Sequence, residues 1–379
     1  MLKRTLFSGV AGLFAISAAA VGVSTIAAKD VAAADFSGKR ITIIVPFNEG
    51  GGTDSYSRFM QPYFQKYLPG NPKILILNKS GAGGILGGNY FVQKAKNDGT
   101  WVFALSTSTI SNFTLGDPRV KFNLGEMIPV ILSPRGITQY VRKDLGIQNE
   151  KTIKAKIDKM RTFTPDELIF GGKTPTSGGL NLRVALSNLG IEVKSVWGMK
   201  GNGPMALAFE RGEFTVNYDN TLSFKNNRKK LIADGIAVPL YTLGFVNEKG
   251  DIVRDPALPD VPHYVEVYEA VHGKKPTGDA FEAWYALYQM SVTMSKSWNL
   301  PAGTPKDVVE AWRSAAKKMM ADPDFKAKRG KIFGPYPQTI GDAAIPIRNA
   351  ATTLSPGARK WLAKYVKARY GVNLGVAGK

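Results

Sequence analysis

The chain of 379 residues contains no cysteine. Disulfides, thiolate catalysis, cysteine-based metal centres and a lipid-anchored N-terminal cysteine are thereby excluded. Histidine is nearly as scarce. His263 and His272 flank a loop-like region as ordinary surface residues, too few for a metal site, so no metal is expected. Nucleotide fingerprints are missing too. The glycine run GAGGILGG, Gly81 to Gly88, has Leu86 where G-x-G-x-x-G needs its third glycine, and no Gly-Lys-Ser/Thr follows either glycine run, so there is no P-loop. No G-x-S-x-G elbow occurs, and the carboxylates near the glycine loops are limited to Glu49, Asp54 and Asp219. With neither a nucleophile-base pair nor paired acids at hand, the chain is expected not to be an enzyme and to use no cofactor.

One long apolar run is present, and it lies at the N-terminus. Lys3 and Arg4 precede the almost wholly apolar stretch Leu6 to Ala20, and Ala32-Ala33-Ala34 offers small residues for cleavage. Residues 1–34 therefore read as a cleaved signal peptide, and the protein is expected to be exported, soluble and periplasmic. A retained membrane anchor is the competing reading, disfavoured because Gly, Ala and Ser dilute the run. Losing Lys3, Arg4, Lys29 and Asp30 with the leader leaves 47 basic and 29 acidic residues, a net charge of +18. Such a balance draws a protein to anionic surfaces or steers anionic ligands into a cleft. The lysines are dispersed on helix faces such as Lys151 to Lys159, without aromatic interleaving, so no nucleic-acid partner is expected.

The remaining chain of roughly 345 residues should divide into two domains. Its anchor is ITIIVPFNEGGGTD, Ile41 to Asp54. A branched apolar run suits a doubly buried strand, Pro46 ends it, and Gly50 to Gly52 free the backbone to approach a ligand. Thr53 and Asp54 are placed to cap a helix whose apolar face runs through Tyr56, Phe59, Met60, Tyr63, Phe64 and Tyr67, with Pro62 expected to kink it. Strand, glycine loop and helix start make an anion site, although a tight glycine turn without a ligand fits this stretch equally well.

The same layout occurs twice. Strands at 41–45, 74–77 and 101–105 alternate with helices at 55–67 and 85–96, a βαβαβ unit whose right-handed crossovers make the strands parallel. Strands at 168–170, 193–196 and 214–218 form a second unit, with one helix ending near Gly190 and another starting at Pro204. The loops after the strands carry Gly, Ser, Thr and Asn, including Ser106, Thr107, Thr176, Ser177, Gly178 and Asp219, where open α/β sheets take their ligands. Extended segments at 128–132, 137–141 and 236–243 are candidate interdomain crossings, with hinges expected near Ile137 and Val238. The C-terminal part reads as mostly helical, with Thr304 as a cap, Pro305 in the first turn and a last helix over 356–369. The expected division is 35–136 for the first part of domain 1, 137–241 for domain 2 and 242–379 for the C-terminal part of domain 1.

VPFNEGGGTD, NKSGAGGILGG, TSGG, MKGNGPMALAFERGEF, LPDVPHYVE and LPAGTPKDVVEAW with ADPDF, in this order and spacing, resemble the solute receptors of tripartite tricarboxylate transporters, the Bug family. The resemblance implies an α/β, two-domain periplasmic-binding-protein-like fold with a ligand cleft between domains. It also implies capture of a small organic carboxylate and delivery to membrane permease subunits, by a protein expected to be monomeric. The ligand residues it implies are Asn48, Gly51, Gly52, Thr53 and Asp54 in the first loop and Thr176, Ser177 and Gly178 in the second domain. Three departures stand out. Asn48 and Glu49 replace prolines usual in that loop, Trp197-Gly198-Met199 replaces a Val-Pro-Tyr and is expected to shape the pocket for a bulkier or less polar ligand, and residues 272–279 look longer than usual. A ligand-sensing partner for a signalling protein would use the same pocket chemistry, and an exported enzyme for an anionic small molecule is the remaining alternative. Charge on the ligand is expected to meet mainly backbone N–H groups and hydroxyls, with Lys173 and Lys200 as the only cations near the cleft.

Overall fold

The computed structural model describes residues 34–247 and 249–376; the expected leader thus lies, but for Ala34, outside the described residues. From Arg40 the chain runs β1 (Arg40–Val45), α1 (Gly52–Tyr67), β2 (Lys73–Asn78), α2 (Ile85–Lys94), β3 (Trp101–Ser106), α3 (Thr107–Thr114) and β4 (Ile128–Ser133). β1 pairs in parallel with both β2 and β3, as right-handed βαβ crossovers require. Ile41, Ile43, Ile44 and Val45 are fully buried, which accounts for an unbroken apolar strand. The helix that follows is continuous through Pro62, against the expected kink. Its N-cap is Gly51, without a side-chain cap, so Thr53 and Asp54 sit inside the first turn instead of capping it.

After β4 three residues, Pro134-Arg135-Gly136, carry the chain into a second sheet. It comprises β5 (Ile137–Arg142), α4 (Ile153–Met160), β6 (Ile169–Gly171), α5 (Leu180–Asn188), β7 (Lys194–Val196), α6 (Asn202–Glu210), β8 (Val216–Asn220), α7 (Thr221–Asn227), α8 (Lys229–Ala233) and β9 (Ala237–Thr242). Strand order is β7-β6-β8-β5-β9, with β6 parallel to β7 and β8 and with β5 antiparallel to β8 and β9. Val238 lies inside β9, paired with Val141, so the expected hinge there is a strand interior, and 128–132 and 137–141 are strands of the two different sheets.

A short hairpin, β10 (Phe245–Val246) and β11 (Ile252–Val253), precedes α9 (Tyr264–His272) and α10 (Asp279–Tyr288). The loop between these helices holds the 272–279 departure. α10 passes through a π-helical turn, Gln289–Thr293, into β12 (Lys296–Leu300). β12 had no counterpart in the sequence reading, where this region was expected to be mostly helical. It inserts antiparallel between β3 and β4, so the first sheet reads β13-β4-β12-β3-β1-β2, with β13 (Thr339–Ile340) at its edge. The remaining helices are α11 (Lys306–Ala321), α12 (Pro323–Lys328), α13 (Ala344–Thr352) and α14 (Pro356–Tyr370). Pro305 is the N-cap of α11; Thr304 instead donates its hydroxyl to the carbonyl of Pro301. α11 packs on α1, while α14 lies along α10. α14 also reaches the second half of the chain, where Arg369 pairs with Glu192 and the Tyr365 hydroxyl donates to the carbonyl of Arg183 at 3.3 Å.

β12 is buried along its whole length. Trp298, at its centre, packs on Phe64 (4.8 Å between ring centroids) and Trp312 (6.4 Å), and its indole N–H donates to Ser57 at 3.1 Å. Truncating so large a buried ring costs roughly 3–5 kcal/mol. Trp298→Ala is therefore expected to lower unfolding free energy by about that amount in a urea titration, and a loss under about 1 kcal/mol would contradict this account of the core.

Candidate functional site

Between the two sheets lies a cavity of about 80 Å³ whose walls come from both halves of the chain. From the first sheet come Phe47 to Glu49, Gly51 to Thr53, Ser106 to Ser108, Ser295 and Lys296; from the second come Ile137, Lys173, Gly201 to Pro204, Tyr218 to Asn220 and Ser223. Of the helices that start at this cavity, α1, α3 and α6 have N-caps without a side-chain hydrogen bond, whereas the short α7 is capped by Asn220. Helix N-termini leave unsatisfied N–H groups and carry the positive ends of the helix dipoles, both of which favour an anion beside them.

The first loop owes its shape to Asp54. Its carboxylate accepts the N–H of Gly50 at 3.0 Å, Nε of Arg58 at 3.0 Å and Nδ2 of Asn78 at 3.0 Å, and Asn78 also donates to the carbonyl of Phe47. Burial pushes the Asp54 carboxyl up, but the bonds from Arg58, Gly50 and Asn78 outweigh it and hold it below the ordinary range. Of the three glycines, Gly50 alone takes positive φ, at 72°. Gly52 is needed for a different reason: a Cβ there would stand 2.8 Å from Nδ2 of Asn220 across the cleft.

The structure brings Asn48, Gly51, Gly52, Thr53, Ser106, Thr107 and Asp219 together on the cavity wall and leaves Asp54, Thr176, Ser177 and Gly178 off it. The Thr176 hydroxyl lies 2.8 Å from Oδ1 of Asn112 and 3.1 Å from Oδ2 of Asp117, both acceptors in the first half of the chain, and donates its one proton to either. Ser177 closes its own turn by donating to the carbonyl of Thr174 at 2.7 Å. Gly178 donates its N–H to Ser108 at 3.2 Å. Thr176 and Gly178 thus join the two halves behind the cavity, while Ser177 shapes the turn that carries them. Asp219 is buried, accepting from Tyr140 at 2.9 Å and from Nε of Arg228 at 3.0 Å. Burial raises its carboxyl above the ordinary range despite Arg228 and Tyr140. Trp197 also stays off the wall: it stacks on the Arg183 guanidinium at 4.6 Å and edges onto Tyr370, so it does not shape the pocket as expected.

Lys296 was missed by the sequence reading. It sits at the start of β12, 6% exposed, and donates from Nζ to the hydroxyl of Thr53 at 2.9 Å. Burial pulls its ammonium down to about 7, and the charges of Arg135 and Lys173 add to the shift. Lys173 faces it from the second half, donating to Oδ1 of Asn202 at 2.7 Å and to the Tyr218 hydroxyl at 3.1 Å. Lys200, expected as the other cation, is exposed and off the wall. Among the described residues no group of three or more His, Asp or Glu side chains is arranged for a metal. Recognition of these polar residues from sequence would have required knowing that KSWNL is a strand: its alternation puts Lys296 and Trp298 on one side and Ser297 and Asn299 on the other.

The contact between the two halves needs glycine at the seam. A Cβ on Gly178 would lie 2.7 Å from Cγ2 of Thr107, closer than side-chain carbons approach. Gly178→Ala is therefore expected to hold the halves apart, giving a larger radius of gyration by small-angle scattering than the parent protein; identical scattering curves would contradict the contact's role.

No family model matches the chain. It is 23% identical over 319 residues to the UPF0065 protein in the tcbD-tcbE intergenic region of Pseudomonas sp. strain P51, spanning 81% of this chain and 82% of that protein. Among solved structures it superposes on MatC from Rhodopseudomonas palustris, determined with bound malate, with a TM-score of 0.61 at 18% identity over 86% of this chain and 99% of that one. The periplasmic binding protein BugD gives 0.63 at 19% identity, covering 88% and 98%, and an R. palustris protein determined with adipate gives 0.62 at 20%, covering 88% and 98%. The chain accordingly has the two-domain α/β fold of the periplasmic solute-binding proteins of the tripartite tricarboxylate transporter type.

Proposed function

We propose that the protein is a periplasmic solute receptor that captures a small organic carboxylate between its two lobes and delivers it to a tripartite tricarboxylate-type membrane permease, acting as a monomer. The observation that carries this reading is a cavity between two sheets onto which three helix N-termini converge and into which two lysines point from opposite sides. The structurally similar proteins determined with malate and adipate support the ligand class. Asn48, Gly51, Gly52, Thr53, Ser106, Thr107 and Asp219 form the contact set in this reading, while Asp54 shapes the first loop and Thr176, Ser177 and Gly178 position the second lobe against the first. The moving parts are residues 35–136 with 242–379 against residues 137–241, except that α9, α10 and α14 travel with the second lobe on which they pack.

Hydrogen bonds to a charged group contribute roughly 1.5–3 kcal/mol each. Thr53→Ala removes a hydroxyl that lines the cavity and is expected to weaken carboxylate binding by roughly ten- to a hundredfold. Ser177→Ala, whose hydroxyl serves its own turn, should cost less than about fivefold. Calorimetry with a panel of small carboxylates tests both, and a panel without a single binder removes the proposed function.

Export by a cleaved leader has its own test. N-terminal sequencing of the protein from a periplasmic extract is expected to begin close to Ala34. A chain that starts at Met1 or Leu2 and sediments with membranes would replace the signal peptide with an anchor.

A further inference from the structure

Lys296 is a buried cation without an acid partner. The charged groups acting on it are Arg135 and Lys173, both of its own sign. Arg135 lies in the three-residue crossing between the sheets, 2% exposed. Its Nη1 reaches the carbonyls of Pro134 at 3.4 Å and Phe333 at 3.3 Å, while its Nη2 has no partner. Its guanidinium stacks on Tyr56 and Phe333, 5.3 and 5.1 Å from their ring centroids. Its direct partners on the neighbouring elements are neutral or cationic. α1 gives Thr53, with the Tyr56 phenol behind it, and β3 and β4 give Ser106 and Ser133 in direct register. The second lobe gives Lys173 and the Tyr218 phenol. Two acids belong to the cavity wall, and both have other partners. Asp219 is taken by Arg228 and Tyr140, and Glu49, whose side chain is 78% exposed, stands 3.7 Å from Arg58.

Burying an ammonium beside two other cations is strongly unfavourable unless an anion joins them or the amine gives up its proton. The cavity that Lys296 lines is where such an anion would fit. We propose that Lys296 is a specificity-determining residue of the receptor: its amine meets the anionic group of the ligand and takes up a proton as the ligand enters, so that capture is coupled to protonation. This rests on the carboxylate reading given above. No bond is made or broken beyond the transfer of one proton from solvent to Nζ, which becomes an ammonium paired with the ligand's carboxylate.

The direction of the pH dependence follows. With its ammonium lowered to about 7 by burial in the cavity wall, Lys296 is largely neutral above that pH before a ligand enters, and an anion beside it raises its proton affinity again. Binding should therefore take up a proton above about pH 7 and almost none below about pH 6, and affinity should fall by up to about tenfold per pH unit between about pH 7 and 9. The site is not expected to weaken at mildly acid pH while the ligand's own carboxylates stay ionised, down to about pH 5.

The test is calorimetry of the purified protein with malate and with adipate, repeated in buffers of different ionisation enthalpy across that pH range. Proton uptake approaching one per ligand at about pH 8 to 9 is expected. Lys296→Met should fold, since it removes a buried charge and keeps the stem's bulk. It should bind at least about tenfold more weakly at pH 7 and should lose both the proton uptake and the pH slope. Thr53→Ala serves as the companion variant: weaker binding with the pH slope retained separates loss of a hydroxyl from loss of the titrating amine. A carboxylate that binds with no proton uptake, and equally well to Lys296→Met, overturns the role of Lys296 while leaving carboxylate capture intact. If neither probe nor the wider carboxylate panel binds, the receptor reading itself falls and takes this inference with it.

Discussion

The insertion of β12 between β3 and β4 is the constraint on which the rest of the structure depends. The chain leaves the first lobe after β4 and comes back after α10, so that β12 returns antiparallel to β3 and β4. A third connection leads from α13 to α14, and the first two crossings run side by side. They are tied to each other: the N–H of Arg135, in the first crossing, donates to the carbonyl of Val292 at 2.9 Å, in the π-helical turn of the second. Neighbouring bonds spread from that point. Asn181 of α5 donates to the Ser291 hydroxyl at 2.6 Å, and Thr107 at the start of α3 reaches Ser295 at 3.4 Å.

One five-residue strand also divides its labour by face and position. Trp298 joins the aromatic cluster under α1, where burial of large rings contributes most of the stabilisation. Lys296, two residues earlier on the same side, emerges at the strand end beside Thr53. A site built on a central strand is held more rigidly than one carried on a loop, and this one has the first glycine loop fixed against it through Asp54, Arg58 and Asn78. The loop's carboxylate thus acts on its own backbone rather than on a ligand. Its low proton affinity, caused by the bonds that outweigh burial, keeps that arrangement charged and intact through the mildly acid range, since a carboxyl whose folded value lies below its unfolded one loses its stabilising contribution only as the pH falls through the folded value.

Much of the fold was legible in the sequence because local chemistry and global topology agree there. ITIIV could only be a buried strand, GGGTD could only open a helix, and the recurrence of strand, small-residue loop and helix gave two sheets with their loops gathered on one edge. Failures occurred where short-range pattern and tertiary context part. KSWNL carries two apolar residues in five and starts with a lysine, so nothing local identifies a strand; its burial comes from β3 and β4, more than 150 residues upstream. Thr304 and Thr53 illustrate a smaller slip. Both have a capping residue's chemistry, but Thr304 bonds back to Pro301 and Thr53 is taken by Lys296. Thr176 and Ser177 were placed in the site by their loop, and the loop is at the seam. Which way a hydroxyl turns there is decided by Asn112 and Asp117, on a helix and a turn that sequence spacing cannot bring near.

Lys173 and Lys296 line one cavity with Arg135 buried nearby, and the acids of its wall, Asp219 and Glu49, are already paired. At an effective dielectric near 20, two like charges about 6 Å apart repel by nearly 3 kcal/mol, a cost that must be offset by contacts at the seam, by loss of a proton from one of them, or by an incoming anion. The three remedies have different consequences. Seam contacts alone would favour the closed form whatever occupied the cleft. Deprotonation leaves a neutral amine that has lost much of its attraction for an anion. An anion in the cavity would meet both lysines that line it, and only a ligand with differential affinity for two states can shift a two-state equilibrium. Glycine at Gly52 and Gly178 lets the two halves approach at the seam, while Lys173 and Lys296 face each other across the cavity without an acid between them.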